Sequence, residues 1–470
     1  MSRPTPQLVI WITTDHMRYD CINAHGNAAM HTPNLDFLVE NGVSFEGCYN
    51  QNPLCMPSRC SFMTGLYPQQ TGVTANGFTL PADFEPTVAG TFKAAGYQTA
   101  QIGKLHFQPH EHHDLDPRER NDYGFDIFWL SEESGCYQDA YMTWLLTEHP
   151  ELVEEFRTPR PPSPARSAES EGRVIEAPWE ASHSGWIAEM ASQYLNGLSR
   201  RAARNFMHLG FYAPHPPLNP TREMFEPYAD AQIPEPRITG DEWEDKPEPL
   251  KGMVKSRSDW PLERFVNYRR HFYAMVTGVD MALGRVMERL RENDMLDDTL
   301  IIFTSDHGDQ CGDHGMISKG PHFYEEVTHM PWVMYWPAGF GDQPRRVEGL
   351  VEMVDMMPTL LELSGGVVPD VMMGGSYADA LLSDEPVDAR EDVFSYHEPG
   401  HAMLRTEKYK YLRFNSHDTE VLYDLQEDPP EVVNHADDAE YADVLNDMRL
   451  RMLGRSLHAG QSPLRRKYRY

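Results

Sequence analysis

Cys55-Met56-Pro57-Ser58-Arg59 sets a guanidinium four residues after a thiol, with a proline and a serine between them. If Cys55 opens a helix, Arg59 lies one turn further along it. Residue 55 then sits at a helix N-terminus, where unpaired backbone N–H groups favour negative charge. The competing reading is a turn on Pro57 and Ser58 that happens to hold a cysteine. Other reactive side chains fall at the ends of apolar runs: Asp15 after Leu8–Thr14, and Asp306-His307-Gly308-Asp309 after Thr299–Ser305. Asp15, Asp306 and His307 form a ligand set for a divalent ion, with a modified residue 55 as a further ligand. Oxygen donors suit Ca²⁺, Mg²⁺ or Mn²⁺, and the imidazole shifts the balance towards Mn²⁺ or Zn²⁺. Asp15 alone also reads as a strand-end cap, whereas a charged cluster closing an apolar run is costly unless paired or metal-bound. Lys104 and His106, which share a face if extended, could hold an anion together with Lys319 and with His215, which is flanked by prolines. A lone lysine is usually only solvated, so the argument rests on their convergence. His110-Glu111-His112-His113-Asp114 could be a second metal site but reads better as a solvated loop near the site mouth.

The elements that must position these groups follow from the apolar runs. Leu8–Asp15, Gln98–Lys104, Asn205–Phe211 and Thr299–Asp306 read as buried parallel strands, with helical patterns between them at Asn34–Asn41 and Met275–Asn293. Strand alternating with helix predicts an α/β fold, a large mostly parallel sheet covered by helices on both faces. Ligands of such sheets bind beyond the carboxyl ends of the strands, where Asp15, Lys104, His215 and Asp306 all fall. Arg157–Arg173 and Pro234–Leu250 read as exposed loops. After about residue 370 the texture changes, and Tyr409–Phe414 and Val421–Leu425 look like hairpin strands, followed by a helix from about Glu440 to Leu453. We therefore expect a catalytic domain over 1–370 and a smaller C-terminal subdomain, an antiparallel sheet plus helix, over 371–470.

The 470 residues carry 41 basic and 72 acidic side chains, a net charge of −31. That balance disfavours nucleic-acid and polyanionic partners. The exception is Arg465-Arg466-Lys467-Tyr468-Arg469, either a solvated tail or an arm that docks on an acidic neighbour, which makes a homodimer or homotetramer an expectation. No apolar stretch approaches a signal peptide or the ~20 residues of a membrane span, so no membrane partner and a cytoplasmic location are expected. Six cysteines form neither a disulfide ladder nor a CxxC pair, and all but Cys55 read as reduced, mostly buried thiols.

Taken together, the motifs resemble those of type I sulfatases of the alkaline phosphatase superfamily, a group that includes phosphonate monoester hydrolases. Besides the cysteine motif, the resemblance rests on His31-Thr32-Pro33-Asn34-Leu35-Asp36, Thr64-Gly65-Leu66-Tyr67-Pro68, Gly103-Lys104-Leu105-His106 and Tyr123-Gly124-Phe125-Asp126. It continues in Ser305–Asp309 with Gly312, His314 and Lys319, in Val354–Leu360, and in Asp424-Leu425 with Asp428-Pro429. The resemblance implies oxidation of Cys55 to formylglycine by a formylglycine-generating enzyme, and attack by its hydrate on sulfur or phosphorus. It implies that Arg59 holds the hydrate and the helix start, and that Asp15, Asp306, His307 and residue 55 bind one metal ion, Ca²⁺ or Mn²⁺, with Zn²⁺ as an alternative. Lys104 and Lys319 would bind the transferring anion and stabilise the leaving oxygen. His215 would protonate that oxygen, Asn76 would add an anion contact, and His106 would assist release of the covalent ester.

The chain also departs from that pattern. Many sulfatases carry two adjacent aspartates where this chain has Asp15-His16, and asparagine where it has His307. The Asp, Asp, His set resembles phosphonate monoester hydrolases, while Lys104 and His106 match sulfatases. The first reading is a hydrolase of small-molecule sulfate monoesters with promiscuity among related esters. The second is a phosphonate monoester or phosphodiester hydrolase using the same nucleophile. A third, a non-catalytic binder on this scaffold, is opposed by the retention of nucleophile, metal and anion groups.

Overall fold

The structure, a computed structural model, describes residues 4–110, 121–159, 172–198, 204–240, 248–255, 257, 259–341, 343–383, 385–415 and 418–461. The strands run in chain order β1 (Leu8–Asp15), β2 (Val43–Tyr49), β3 (Tyr97–Gly103), β4 (Ile127–Leu130), β5 (Arg204–Pro214), β6 (Thr299–Ser305), β7 (His329–Tyr335) and β8 (Arg345–Glu352). Four more follow: β9 (Asp392–His397), β10 (His401–Thr406), β11 (Tyr409–Phe414) and β12 (Thr419–Asp424). The first eight form one sheet in the order β4-β3-β5-β1-β6-β7-β2-β8, and the last four form a second in the order β12-β11-β10-β9.

The large sheet is parallel except at β7, which runs antiparallel to both β6 and β2. The four strands expected from the sequence stand side by side as β3, β5, β1 and β6, and β1 is the centre because both its faces are apolar. Leu8, Ile10 and Ile12 pack on the face covered by helices Pro33–Asn41, His183–Gly197 and Leu262–Glu292. Val9 and Trp11 pack on the other, against helices Cys55–Thr64, Val88–Ala94 and Met356–Leu363. Burial on both faces is why β1 reads as a continuous apolar run rather than an alternating one.

Several bounds differ from the sequence expectation. The helix expected over Met275–Asn293 begins thirteen residues earlier, at Leu262, and ends at Glu292. The helix expected over Glu440–Leu453 spans Ala442–Ala459. Strand β7 escaped the sequence reading because it contains Pro331, which argues against a central strand. The ladder explains how it is tolerated: the β2–β7 register shifts between Phe45 and Cys48, opposite Met330 to Trp332, so the proline sits at a bulge.

The second sheet is an antiparallel meander with helix Ala442–Ala459 on one face. Its other face packs on Tyr49, Met316, Phe323 and Tyr324. Of the expected loops, 160–171 and 241–247 lie outside the described residues, as do the His112-His113 run and the basic tail at 465–469, while the end of the second loop, from Glu248, is instead the start of a helix, Glu248–Lys255. Among the described residues no helix is long and apolar enough to cross a membrane.

Candidate active site

The site lies beyond the carboxyl ends of β3, β5, β1 and β6. Parallel pairing brings its carboxylates together: Thr14 of β1 is level with Ser305 of β6, so Asp15 and Asp306 leave the sheet side by side. Lys104 reaches the same place through a close approach of two glycines. A Cβ on Gly103 would lie 2.1 Å from the Gly210 carbonyl oxygen, and one on Gly210 would lie 1.8 Å from that of Lys104. With no side chain at either position, the Lys104 amide donates to Gly210 O at 2.7 Å.

Cys55 is the first residue of helix Cys55–Thr64, after an extended Leu54. Its Sγ is 2.8 Å from Lys319 Nζ and 3.3 Å from His307 Nε2. Burial, and next the Asp15 charge, push the thiol up to about 11 against the pull of Lys319. The unmodified residue is therefore a protonated thiol at neutral pH and a poor nucleophile. The other five cysteines are likewise buried.

Ligand atoms of Asp15, Cys55, Asp306 and His307 all lie within 4.8 Å of one another, and so do those of Asp15, His16, Cys55 and His215. Hydrogen bonding decides between the two sets. His307 gives its Nδ1–H to Gly308 O at 2.9 Å, which turns the Nε2 lone pair towards Asp15 Oδ1, 3.4 Å away. His16 has both ring nitrogens occupied, by Asp309 Oδ2 at 2.9 Å and Lys319 Nζ at 2.6 Å. Both Asp15 oxygens are buried and make no hydrogen bond, although Lys104 Nζ stands 2.6 Å from Oδ2 as an ion pair without hydrogen-bonding angles. A buried carboxylate with free lone pairs beside an imidazole lone pair is a cation site in want of its ion. The donors Asp15, Asp306, His307 and residue 55 thus fit a divalent metal.

The charges around it are arranged to suit. Burial would raise Asp15, but Lys104, His215 and Lys319 hold it well below the usual carboxylate range. Asp306 is pushed up, by burial and then by Asp15, with Arg59 opposing. Lys104 and Lys319 both stay protonated: burial works against their charge, and Asp15 and residue 55 outweigh it. Burial lowers His106, His215 and His307, aided by Lys104, His16 and Lys319 respectively.

Three sequence expectations change in detail. Arg59 is fully buried, and its guanidinium bonds Asp306 Oδ2 at 2.7 Å, Thr14 O at 3.0 Å and Thr13 Oγ1 at 3.2 Å. It ties the helix to the ends of β1 and β6 and orients Asp306. Lys104 and His106 do not share a strand face, because β3 ends at Gly103 and His106 has φ +61°. His110 is not a solvated loop residue. Its Nε2 lies 2.6 Å from His106 Nε2, and its ring is only 17 % exposed beside Glu133.

Above residue 55 a cleft of about 660 Å³ is lined by Met56, Asn76, His106, His110, Glu133, Tyr137, His215 and Lys319. Asn76 takes the Met56 N–H on its side-chain oxygen at 3.2 Å, which leaves the amide nitrogen as its donor. His215 Nδ1 lies 2.6 Å from Pro216 O and 2.8 Å from the Tyr212 hydroxyl, so its other nitrogen is the one available for proton transfer. Glu133, Tyr137 and Tyr212 were not singled out from the sequence, because no apolar run or spacing flags them. His314, part of a quoted motif, stacks on Tyr324 at 3.9 Å instead of lining the cleft.

Known proteins resemble this chain along most of its length. An arylsulfatase of Clostridium perfringens is 29 % identical over 94 % of this chain and 92 % of its own. A multifunctional alkaline phosphatase superfamily protein, PehA, of Trinickia caryophylli is 31 % identical, covering 94 % of each chain. The crystal structure of the phosphonate monoester hydrolase of Agrobacterium radiobacter superposes with a TM-score of 0.83 at 28 % identity, over 97 % of this chain and 96 % of that one. The C-terminal profile of N-sulphoglucosamine sulphohydrolase matches residues 312–457. With the sulfatase profile matching residues 7–367 as well, this chain belongs to the sulfatase family.

Proposed function

We propose that the protein hydrolyses small-molecule sulfate monoesters at residue 55, after that residue has been oxidised to formylglycine by a formylglycine-generating enzyme. The observation that carries this reading is the position of Cys55, at a helix N-terminus, 2.8 Å from the Lys319 ammonium and 3.3 Å from His307 Nε2. A bound divalent ion, Ca²⁺ or Mn²⁺, supplies Lewis-acid polarisation there and makes an oxygen nucleophile accessible at neutral pH.

The chain's own residues do the rest. Lys104 and Lys319 neutralise the transferring anion in a buried site, where a fixed cation acts more strongly than in water. Asn76 adds its amide donor from the cleft wall. Arg59 keeps Asp306 in place from behind. An anionic ester brings negative charge beside His215 and raises its proton affinity from the low value that burial imposes. The imidazole, held through Nδ1, then offers a proton to the departing oxygen. His106, with His110 against it, also lines the cleft and would take up a proton when the anion is released.

Turnover of phosphonate monoesters is the second reading. It is favoured by His307 in the ligand set and by the likeness to the Agrobacterium enzyme. The deciding experiment compares an aryl sulfate, an aryl phosphonate monoester and an aryl phosphodiester sharing one leaving group, with Ca²⁺ and Mn²⁺ each tested. The protein used must have its conversion at residue 55 verified by peptide mass. Sulfate preferred at least tenfold supports the sulfatase reading; a phosphonate preference of that size replaces it.

A further inference from the structure

His16 occupies the position where many sulfatases have the second of two aspartates; its backbone amide donates to Asp306 Oδ1 at 3.3 Å, but both hydrogen bonds of its ring go elsewhere, to Asp309 and Lys319. Asp309 Oδ1 accepts the amides of Cys311 at 2.8 Å and Ser318 at 2.9 Å. Its Oδ2 accepts the Tyr268 hydroxyl at 3.0 Å and faces His16 Nδ1 at 2.9 Å. A buried carboxylate with this many donors on it is acceptor-only, so the His16 proton sits on Nδ1. The Nε2 lone pair is then the acceptor for Lys319 Nζ at 2.6 Å, and the same ammonium reaches Cys55 Sγ at 2.8 Å. The ring is fixed on two sides by His215 and His307, with centroids 4.3 and 4.4 Å away. An aspartate at this position could not serve in the same way, because it would face Asp309 with no proton between them.

We propose that His16 is a positioning residue: locked by Asp309 and Tyr268, it holds the Lys319 ammonium against the reacting group on residue 55, and it is not a metal ligand. Through this chain the helix Leu262–Glu292, which carries Tyr268, sets the orientation of a catalytic cation at the site beyond the carboxyl ends of β1 and β6. The proposal rests on the reading above that Lys319 touches the reacting ester. In exchange for one ligand at the metal, the chain gains a fixed direction for the cation that meets the ester.

The test uses metal-loaded protein with residue 55 converted, and a series of aryl sulfates of graded leaving-group pKa. His16→Gln keeps an acceptor near the Nε2 position and His16→Asn keeps only a donor near Nδ1. If His16 acts through Lys319, the glutamine variant retains most of the wild-type kcat/KM and the asparagine variant loses about 10- to 100-fold. The loss should appear mainly in kcat and grow as the leaving group becomes poorer, while metal content stays at the wild-type stoichiometry. In a Lys319→Ala background His16→Asn should cost almost nothing more. Additive losses, equal losses for glutamine and asparagine, or metal lost from His16→Asn would each overturn the proposal. Lys319→Ala with wild-type turnover would instead remove the catalytic reading of Lys319, and the proposal with it.

Discussion

Two regions of this protein bury carboxylates among cations, and they treat them differently. At the seam between the two sheets every oxygen of Glu352 and Asp355 is bonded. Glu352 accepts the Tyr67 hydroxyl at 2.5 Å and the Phe394 amide at 2.7 Å, and pairs with Arg455. Asp355 accepts Gly375 N at 2.7 Å, Tyr377 OH at 2.9 Å, Glu352 N at 3.0 Å and a two-pronged Arg390. At the cleft, Asp15 is equally buried, yet neither of its oxygens has a hydrogen bond. A satisfied network rigidifies a join; an unsatisfied one is a strain reservoir that a ligand relieves. The same residue types therefore serve structure in one place and chemistry in the other; at Asp15 the missing hydrogen bonds mark the difference, while its neighbour Asp306 keeps a bond on each oxygen.

The sharpest way to break this contrast is at residue 55. Cys55→Ala should lower turnover at least ~10⁴-fold, because nothing else in the cleft replaces its nucleophile. The same variant should melt with the wild type; a matching loss of Tm would make the residue structural. Next in size, Asp15→Asn should reduce bound metal to near zero by elemental analysis and turnover by ~10³-fold. Metal retained at full stoichiometry would move the ion to another donor set.

The seam should answer the other way. Arg390→Ala leaves Asp355 and Glu352 under-neutralised and should cost about 3 kcal/mol in denaturant unfolding. Turnover per folded molecule should stay within about twofold of wild type, since cleft and seam share no residue.

The smallest effect lies beneath the second sheet, where Lys410 bridges Glu325 and Glu431 at 2.7 Å each. Burial, with Lys410 opposing and Glu325 adding its charge, pushes Glu431 up to about 7 from an ordinary 4.5. A raised carboxyl favours the folded state while it is protonated. That contribution is complete below pH 4.5 and is lost as pH rises through about 7. Unfolding free energy should therefore fall as pH rises across that window. Glu431→Gln should flatten the profile, and an unchanged slope would mean that Glu431 is ionised throughout.

How far these regions could be read in advance depended on how local their signals are. Arg59 was legible because one helical turn fixes its distance from Cys55, and Asp15 and Asp306 because an apolar run ending in a carboxylate marks a strand end. His110 was not, since only the folded chain lays its ring against His106 on the cleft wall. Tyr268 stands 41 residues from Asp309 as a buried core residue of its helix, and a helical pattern that marks it as core says nothing of the partner its hydroxyl finds. The seam was legible only at Asp355, inside the Val354–Leu360 motif; Glu352, Arg390 and Arg455 look like surface charge until two sheets close over them.

What the sequence by itself determined is the reaction chemistry and the class of fold. The nucleophile motif and the buried strand runs, two of which end in the carboxylates Asp15 and Asp306, are each written in fewer than ten consecutive residues, where backbone geometry alone fixes spacing. Only the tertiary structure decided which imidazole faces the metal and which holds the lysine. His16 and His307 are the same residue type at the ends of adjacent strands. Their roles are set by the hydrogen bond each ring makes on its far side, to Asp309 in one case and to the Gly308 carbonyl in the other. A ring's proton is placed by its neighbours in space, and that is information no local spacing carries.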